Sequence, residues 1–348
     1  MEPRFTFITS YKIDYSRSGV LLSYLSKKDL VSGVIKFNSW KSLISFAWQI
    51  LKANKKTDYY VIMNPSQFLT PIVRLLTFKK IILDSGWPLT EKSRSIKITT
   101  TEKVQRFKSW VIDFVSMHLA NLVLLESQLQ KERTSHRFKI NKKNLEVSLT
   151  GVDEEAFSCS VPGEKLPGQK FKVGFRGRYN LEAGLEVLAE TTLLCTDQEI
   201  SFLILAPNIP NHIKFGENAD IQNKIFGSKE EMADLLISCD VLLGQLSDHP
   251  RLDVTIPHKA FEAAIMGKPY LSARARGIQE FLVEGVEAEY FDAGNATDLL
   301  KKIIELKNTE NHRITLSKNI YKKYMDFGSE NVIGDVFVKI VKQKFYEN

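Results

Sequence analysis

The strongest constraint on the fold is an alternation that runs through the chain twice. In the first half, short apolar runs at 4–8, 59–63, 80–83 and 121–125 have the continuous hydrophobic character of buried strands. Between them, 19–27 and 39–52 carry apolar residues at helical spacing, with Ser39 as the expected N-cap of the second stretch. The pattern restarts with strands expected at 172–174, 199–205, 241–244 and 269–272, and helices at 182–194, 229–238 and 257–266. Strands that alternate with helices imply parallel sheets covered on both faces. Two series predict an α/β protein of two doubly wound, Rossmann-like domains. The join is expected in 158–170, which has two Pro, two Gly and no periodicity. Domains are thus expected at 1–160 and 161–328, followed by a helix at 330–346 with Val332, Val336 and Ile340 on one face.

A length of 348 residues suits two domains, and 43% hydrophobic with 26% charged residues excludes a disordered or fibrous chain. Cys159, Cys195 and Cys239 lack CxxC spacing and histidine partners, which argues against a disulfide framework or zinc site and for a reducing, cytoplasmic setting. The first ten residues lack the layout of a signal peptide. The longest apolar stretch, 110–125, is interrupted by Asp113 and His118 and is too short to span a bilayer.

The net charge of +7 is unevenly placed. Residues 1–170 hold 27 basic and 15 acidic residues, and 171–348 hold 21 and 26. A basic half joined to a mildly acidic half suggests different partners for the two domains. Lys92, Arg94, Lys97, Lys103, Arg106 and Lys108 lead into Trp110, Val111, Phe114 and Val115. That composition suits either a segment touching an anionic membrane or a solvated basic face over a core helix. No RNA-module signature accompanies the basic residues, so a nucleic-acid partner is not expected.

In open parallel sheets, ligands bind beyond the carboxyl ends of the strands, and the informative motifs fall there. Leu149-Thr150-Gly151-Val152-Asp153 with Phe157, the loop Gly177-Arg178-Tyr179-Asn180-Leu181-Glu182-Ala183-Gly184, and the segment from Pro257 through Lys259 and Glu262 to Gly267-Lys268-Pro269 stand in that order. Together with Phe226-Gly227 and the helix after it, they resemble the motifs of GT-B glycosyltransferases of family 4. The resemblance is good over about 145–305 and only in outline before residue 140.

It implies two Rossmann-like domains facing each other across a cleft, with the last helix crossing back onto the first domain. The first domain would bind an acceptor and the second a nucleotide-sugar donor, with retention of configuration and no metal or other cofactor. Arg178 and Lys259 would hold the donor diphosphate, a guanidinium being a permanent two-point donor to phosphate. Glu262 would accept from the ribose hydroxyls, and Ile225, Phe226 and Gly227 would meet the base of a UDP- or GDP-sugar. In the first domain, Asp84 would contact or deprotonate the acceptor hydroxyl, while Trp87 and Gly19 would contact the acceptor, a saccharide or lipid-linked saccharide. Asp84 and Gly86 would equally make an Asx-type turn.

Two positions depart from the family pattern: Ala183 stands where it has lysine, and Val254 where it has the first glutamate of a spaced pair. Asp253 beside it, or Asp248 nearby in the same loop, could serve at the donor sugar. The expected activity is transfer in cell-surface polysaccharide or glycan synthesis, in the cytoplasm or at the inner face of a membrane. The other reading is a catalytically inactive scaffold acting as a sugar-binding or partner subunit.

Overall fold

The computed structural model describes residues 2–14, 16–91, 100–157, 169–224, 226 and 228–346. The chain divides into two compact units, Met1–Asp153 with Glu330–Asn348, and Glu154–Ser329. The division falls at Asp153, a few residues before the glycine- and proline-bearing segment 158–170, of which 158–168 lie outside the described residues.

The first unit runs β1 (Phe5–Thr9), α1 (Ser16–Lys27), β2 (Val31–Lys36), α2 (Leu43–Ala53), β3 (Tyr59–Ile62), α3 (Thr70–Leu76), β4 (Lys80–Asp84), α4 (Thr100–Leu119), β5 (Leu122–Leu125), α5 (Gln128–Phe138) and β6 (Leu145–Val147). Its six strands are all parallel, in the order β2-β1-β3-β4-β5-β6. The central strands are buried along their whole length, which is why they read as unbroken apolar runs. One sheet face is packed by α2 to α5, through Phe46, Ile50, Val73, Met117 and Phe138. Ser39 does not cap α2; it precedes a separate 3-10 turn at Trp40–Ser42, and α2 begins at Leu43.

The second unit runs α6 (Glu154–Phe157), β7 (Phe171–Arg176), α7 (Leu185–Leu194), β8 (Ile200–Leu205), β9 (Ala219–Gln222), α8 (Lys229–Ile237), β10 (Val241–Leu243), α9 (His258–Ile265), β11 (Tyr270–Ala273), α10 (Arg276–Gln279), β12 (Ala288–Phe291), α11 (Ala296–Asn308) and α12 (Glu310–Lys323). Its sheet is again parallel, ordered β12-β11-β10-β7-β8-β9. From β7 the chain moves outward through β8 and β9, then returns to β10 on the other side of β7. The topological switch point therefore lies between β7 and β10, where an open parallel sheet binds its ligand.

The last helix, α13 (Glu330–Phe345), belongs to the first unit. It packs with α1 on the sheet face opposite α2 to α5, Phe337 and Val341 joining Leu21 and Leu25. Lys27 pairs with Glu330 at 2.8 Å, and the Tyr24 hydroxyl donates to Asp335. A Cβ on Gly334 would lie 2.1 Å from the Tyr24 ring, so only glycine allows this close approach. Among the described residues, no helix is long and apolar enough to cross a membrane.

Candidate active site

Strand β7 ends in Arg176, and the loop that follows is built by short-range chemistry. The Asn180 side chain accepts from the Ala183 amide at 2.8 Å, and Gly184 sits at φ +66 against the backbone of Ser247. The loop after β10 is fastened to this one. Ser247 Oγ donates to the Glu182 carbonyl at 3.0 Å, and Arg251 pairs with Glu182 at 2.7 Å with both side chains buried. Two loops at the switch point are thus held in one arrangement. Glu182 stands in the sequence motif without a partner and Arg251 in none; a charged residue inside a short Gly-flanked loop carries no signature of its partner.

Helix α9 opens beside these loops. Pro257 is its N-cap and offers the first-turn N–H groups no side-chain acceptor, while the Ala260 amide donates to the Pro257 carbonyl at 2.9 Å. Lys259 is buried, not a surface lysine. Its Nζ donates to the Gly244 carbonyl at 3.0 Å and Gln245 Oε1 at 3.2 Å, and lies 4.0 Å from the Phe175 ring centroid. Phe175 belongs to β7 and Gly244 follows β10, so the amine sits at the switch point. Burial, with the charge of Arg176, holds it well below the usual lysine range. A charged amine has three protons and two are used here, which leaves one for an anion.

Three residues on, Glu262 is buried and accepts a fork from Arg176: Nε at 2.6 Å and Nη2 on the other oxygen. Sequence reasoning gave Glu262 the ribose as its partner; the structure adds a cation that the sequence did not reveal. Two used lone-pair positions out of about four leave the carboxylate free to accept hydroxyls. Burial pushes Arg176 down to about 10. His258 Nδ1 stands 3.6 Å from Glu262, and burial, then Arg176 and Lys229, push the ring down to about 3, so it is neutral. Its Nε2 is buried and has no hydrogen-bond partner among the described residues. A buried polar atom without a partner is costly, and a bound ligand would satisfy it.

Arg178 is exposed on the loop after β7, with no hydrogen bond or ion pair among the described residues. Its neighbour Gly177 lies against Lys259: a Cβ there would be 3.2 Å from Nζ. The Arg178 loop, Lys259 and Glu262 are therefore brought together. Phe226 is half-buried with Lys224 over its ring at 5.0 Å, while Ile225 and Gly227 lie outside the described residues. Asp253 is exposed in the 3-10 turn Pro250–Val254, and Val254 is buried. Ala183 is part of the hydrophobic core, so that position could not present a cation without repacking.

In the first unit the Asx-type turn of Asp84 and Gly86 is present, and the acceptor-base reading of Asp84 does not fit. Asp84, at the end of β4, is 1% exposed and already saturated. It accepts from Arg17 Nε at 3.2 Å and Nη2, from the Ser18 hydroxyl, and from the Gly86 amide at 3.2 Å. Arg17, equally buried, also donates to the carbonyls of Leu125 and Ser148. A carboxylate so occupied anchors α1 to the strand ends and has no access to an acceptor hydroxyl. Gly19 lies inside α1, which begins three residues earlier than expected, and its missing Cβ admits the backbone of Asp14, at 2.7 Å from the Cβ position. Trp87 is half-buried, its carbonyl accepting from Gln67 at 3.0 Å. Asp113, buried in α4, accepts from the amides of Leu89 and Thr90 and fixes this loop.

Residues 193–326 match the family model described as glycosyl transferase-like. HepE from Anabaena, solved with UDP and glucose, is 12% identical, with 98% of this chain and 100% of that chain covered and a TM-score of 0.73. Sucrose-phosphate synthase from Thermosynechococcus elongatus is 13% identical over all of both chains, at a TM-score of 0.75.

The fold is GT-B. The GT-B scaffold also underlies a proposed UDP-N-acetylglucosamine 2-epimerase from Listeria monocytogenes, 10% identical over 100% of this chain and 98% of that one, at a TM-score of 0.59. The GT-B architecture alone thus leaves the reaction open, while the glycosyl transferase-like match falls on the unit that carries Lys259 and Glu262. No curated protein matches the chain by sequence.

Proposed function

We propose that the chain is a glycosyltransferase of the family-4 type. It takes a UDP- or GDP-sugar into the Glu154–Ser329 unit and passes the sugar to a saccharide or lipid-linked saccharide bound by the first unit. The observation that carries this reading is the start of α9, where Lys259, Glu262 and the unpartnered His258 Nε2 converge at the switch point of the sheet. A diphosphate there would meet the buried amine, the start of α9 and the guanidinium of Arg178, while the ribose would meet Glu262.

As the sugar leaves, charge develops on the diphosphate, and fixed donors aimed at it lower the barrier without a metal. Asp253, in the neighbouring turn, is the acid available to the donor sugar. Retention of configuration, cytoplasmic location and a role in surface polysaccharide or glycan synthesis complete the proposal. Titrating the chain with UDP, GDP, CDP and ADP and their sugars tests it. Binding of one nucleoside diphosphate, with transfer from or slow hydrolysis of its sugar, is the expected result; no binding by any of them overturns it.

The second reading, an inactive nucleotide-sugar-binding scaffold, is favoured by one observation. The buried Val254 stands where family-4 enzymes have a glutamate. Binding without transfer or hydrolysis for every sugar tested would decide for it.

A further inference from the structure

Helix α2 is apolar on both of its sides. Phe46 and Ile50 are buried against the sheet, and the opposite side carries Ile44, Trp48 and Leu51 at i, i+4 and i+7, exposed by 87%, 61% and 53%. Ser45, Gln49 and Lys52 run between the two sides, so the exposed side is an apolar stripe edged by polar residues. The neighbouring helix continues the surface: Leu75 at the end of α3 and Phe78 just after it stand out into solvent, and Trp40 does so ahead of α2. Single exposed apolar residues need no explanation, but six on two neighbouring helices and the residues beside them form a patch.

The frame around the patch is cationic. Between residues 37 and 83 there are seven Lys and Arg against one acid, Asp58, which accepts from the Arg4 amide. Lys41, Lys52, Lys55 and Lys56 are exposed, and Lys52 Nζ lies over the Trp48 ring at 5.1 Å. Two copies meeting through this face in a two-fold contact would set lysines against lysines. A bilayer with anionic headgroups accepts both parts: the apolar side chains enter the headgroup boundary and the amines meet phosphate.

We infer that the outer face of α2 and α3 docks the chain on an anionic membrane surface. The docking is independent of catalysis; its use, to bring the first unit to a lipid-linked acceptor, rests on the transferase reading above. Trp40 stands four residues past the end of β2, so the patch begins at the carboxyl edge of the sheet, where acceptors are expected. The basic, aromatic segment that includes α4 is a weaker candidate. In α4, Trp110 and Phe114 are half-buried on the core and stack on each other, leaving Val104 and Phe107 as its most exposed apolar residues.

The test is co-sedimentation of the full chain, without substrate, with vesicles of phosphatidylcholine alone and of phosphatidylcholine mixed with phosphatidylglycerol. Binding to the mixed vesicles only, weakening with salt, is expected. Lys52→Glu, Lys55→Glu and Lys56→Glu together should lower partitioning roughly 100-fold, from about 1 kcal/mol per basic residue. Ile44→Ser with Trp48→Ser should lower it at least about tenfold. All five positions are exposed, so melting temperature and nucleotide binding should be those of the wild type.

Wild-type chain that ignores the mixed vesicles, or variants that bind as wild type does, overturns the inference. So does a dimer, seen by light scattering, that Ile44→Ser with Trp48→Ser dissolves. Vesicle binding by a chain that binds no nucleotide would sink the donor reading and leave the docking face standing.

Discussion

The guanidinium of Arg176 holds the carboxylate of Glu262 in a two-point fork, across the last residue of β7 and the middle of α9. The carboxylate is buried, so its charge depends on this partner. Removing one member of such a pair strands the other, at a cost of about 3–5 kcal/mol. Arg176→Ala should therefore lower thermal stability sharply, while Arg176→Met combined with Glu262→Met should cost clearly less than the two singles added. Additive losses in a double-mutant cycle would show that the two side chains do not cooperate.

Arg178 has no structural duty among the described residues, so its loss should be felt only by a ligand. Charge-assisted hydrogen bonds to phosphate are worth about 1.5–3 kcal/mol, and Arg178→Ala should weaken nucleoside diphosphate binding roughly 10- to 150-fold with an unchanged melting temperature. Lys259 adds a pH signature. Its amine must be charged to hold an anion and its pKa is lowered, so affinity should fall with rising pH at values below the usual lysine range. Calorimetric titrations of UDP and GDP across pH check both statements.

His258 should make the folded state sensitive to acid. Its ring is held at about 3, against 6.5 when unfolded, so between these values the unfolded chain binds a proton that the folded chain does not. Stability contributed by the neutral ring is present above about pH 6.5 and is lost as pH falls toward 3. In His258→Asn this part of the acid loss should vanish. Parallel melting curves from neutral to acid pH would reveal it; curves that keep a constant separation would contradict it.

Asp84 separates an anchoring carboxylate from a catalytic base. Because it neutralises the buried Arg17, Asp84→Ala should destabilise the chain by about 3–5 kcal/mol and depress nucleotide binding no more than unfolding explains. A base would give the reverse: a stable protein that binds donor normally and transfers nothing. Chemical denaturation and donor titration on the same variant distinguish the two.

The sequence was most informative where burial is complete. Strands β1, β3, β4, β5, β8 and β10 are covered on both faces over most of their length, so apolar side chains dominate them and they stand out. Strands β2, β6, β9 and β12, which the periodicity did not find, are the four edges of the two sheets. An edge strand is short or partly wet, and its composition resembles a loop. Arg178, Lys259 and Glu262 could be named as candidates because they occupy fixed offsets within local motifs. Arg176, Arg17 and Arg251 were not, because each meets its carboxylate across 67 or more residues of chain.

The sequence by itself determined the alternation of strands and helices, hence two parallel sheets, and the placement of a cationic loop and a glutamate-bearing helix at strand ends. These follow from local periodicity, which every window of the chain carries. Tertiary structure alone decided that Asp84 is an anchor, that Glu262 shares its charge with Arg176, that Lys259 is buried, and that the outer side of α2 is bare. Each of these depends on which side chains meet in space and how much water they lose, and neither quantity is a property of neighbouring residues in sequence.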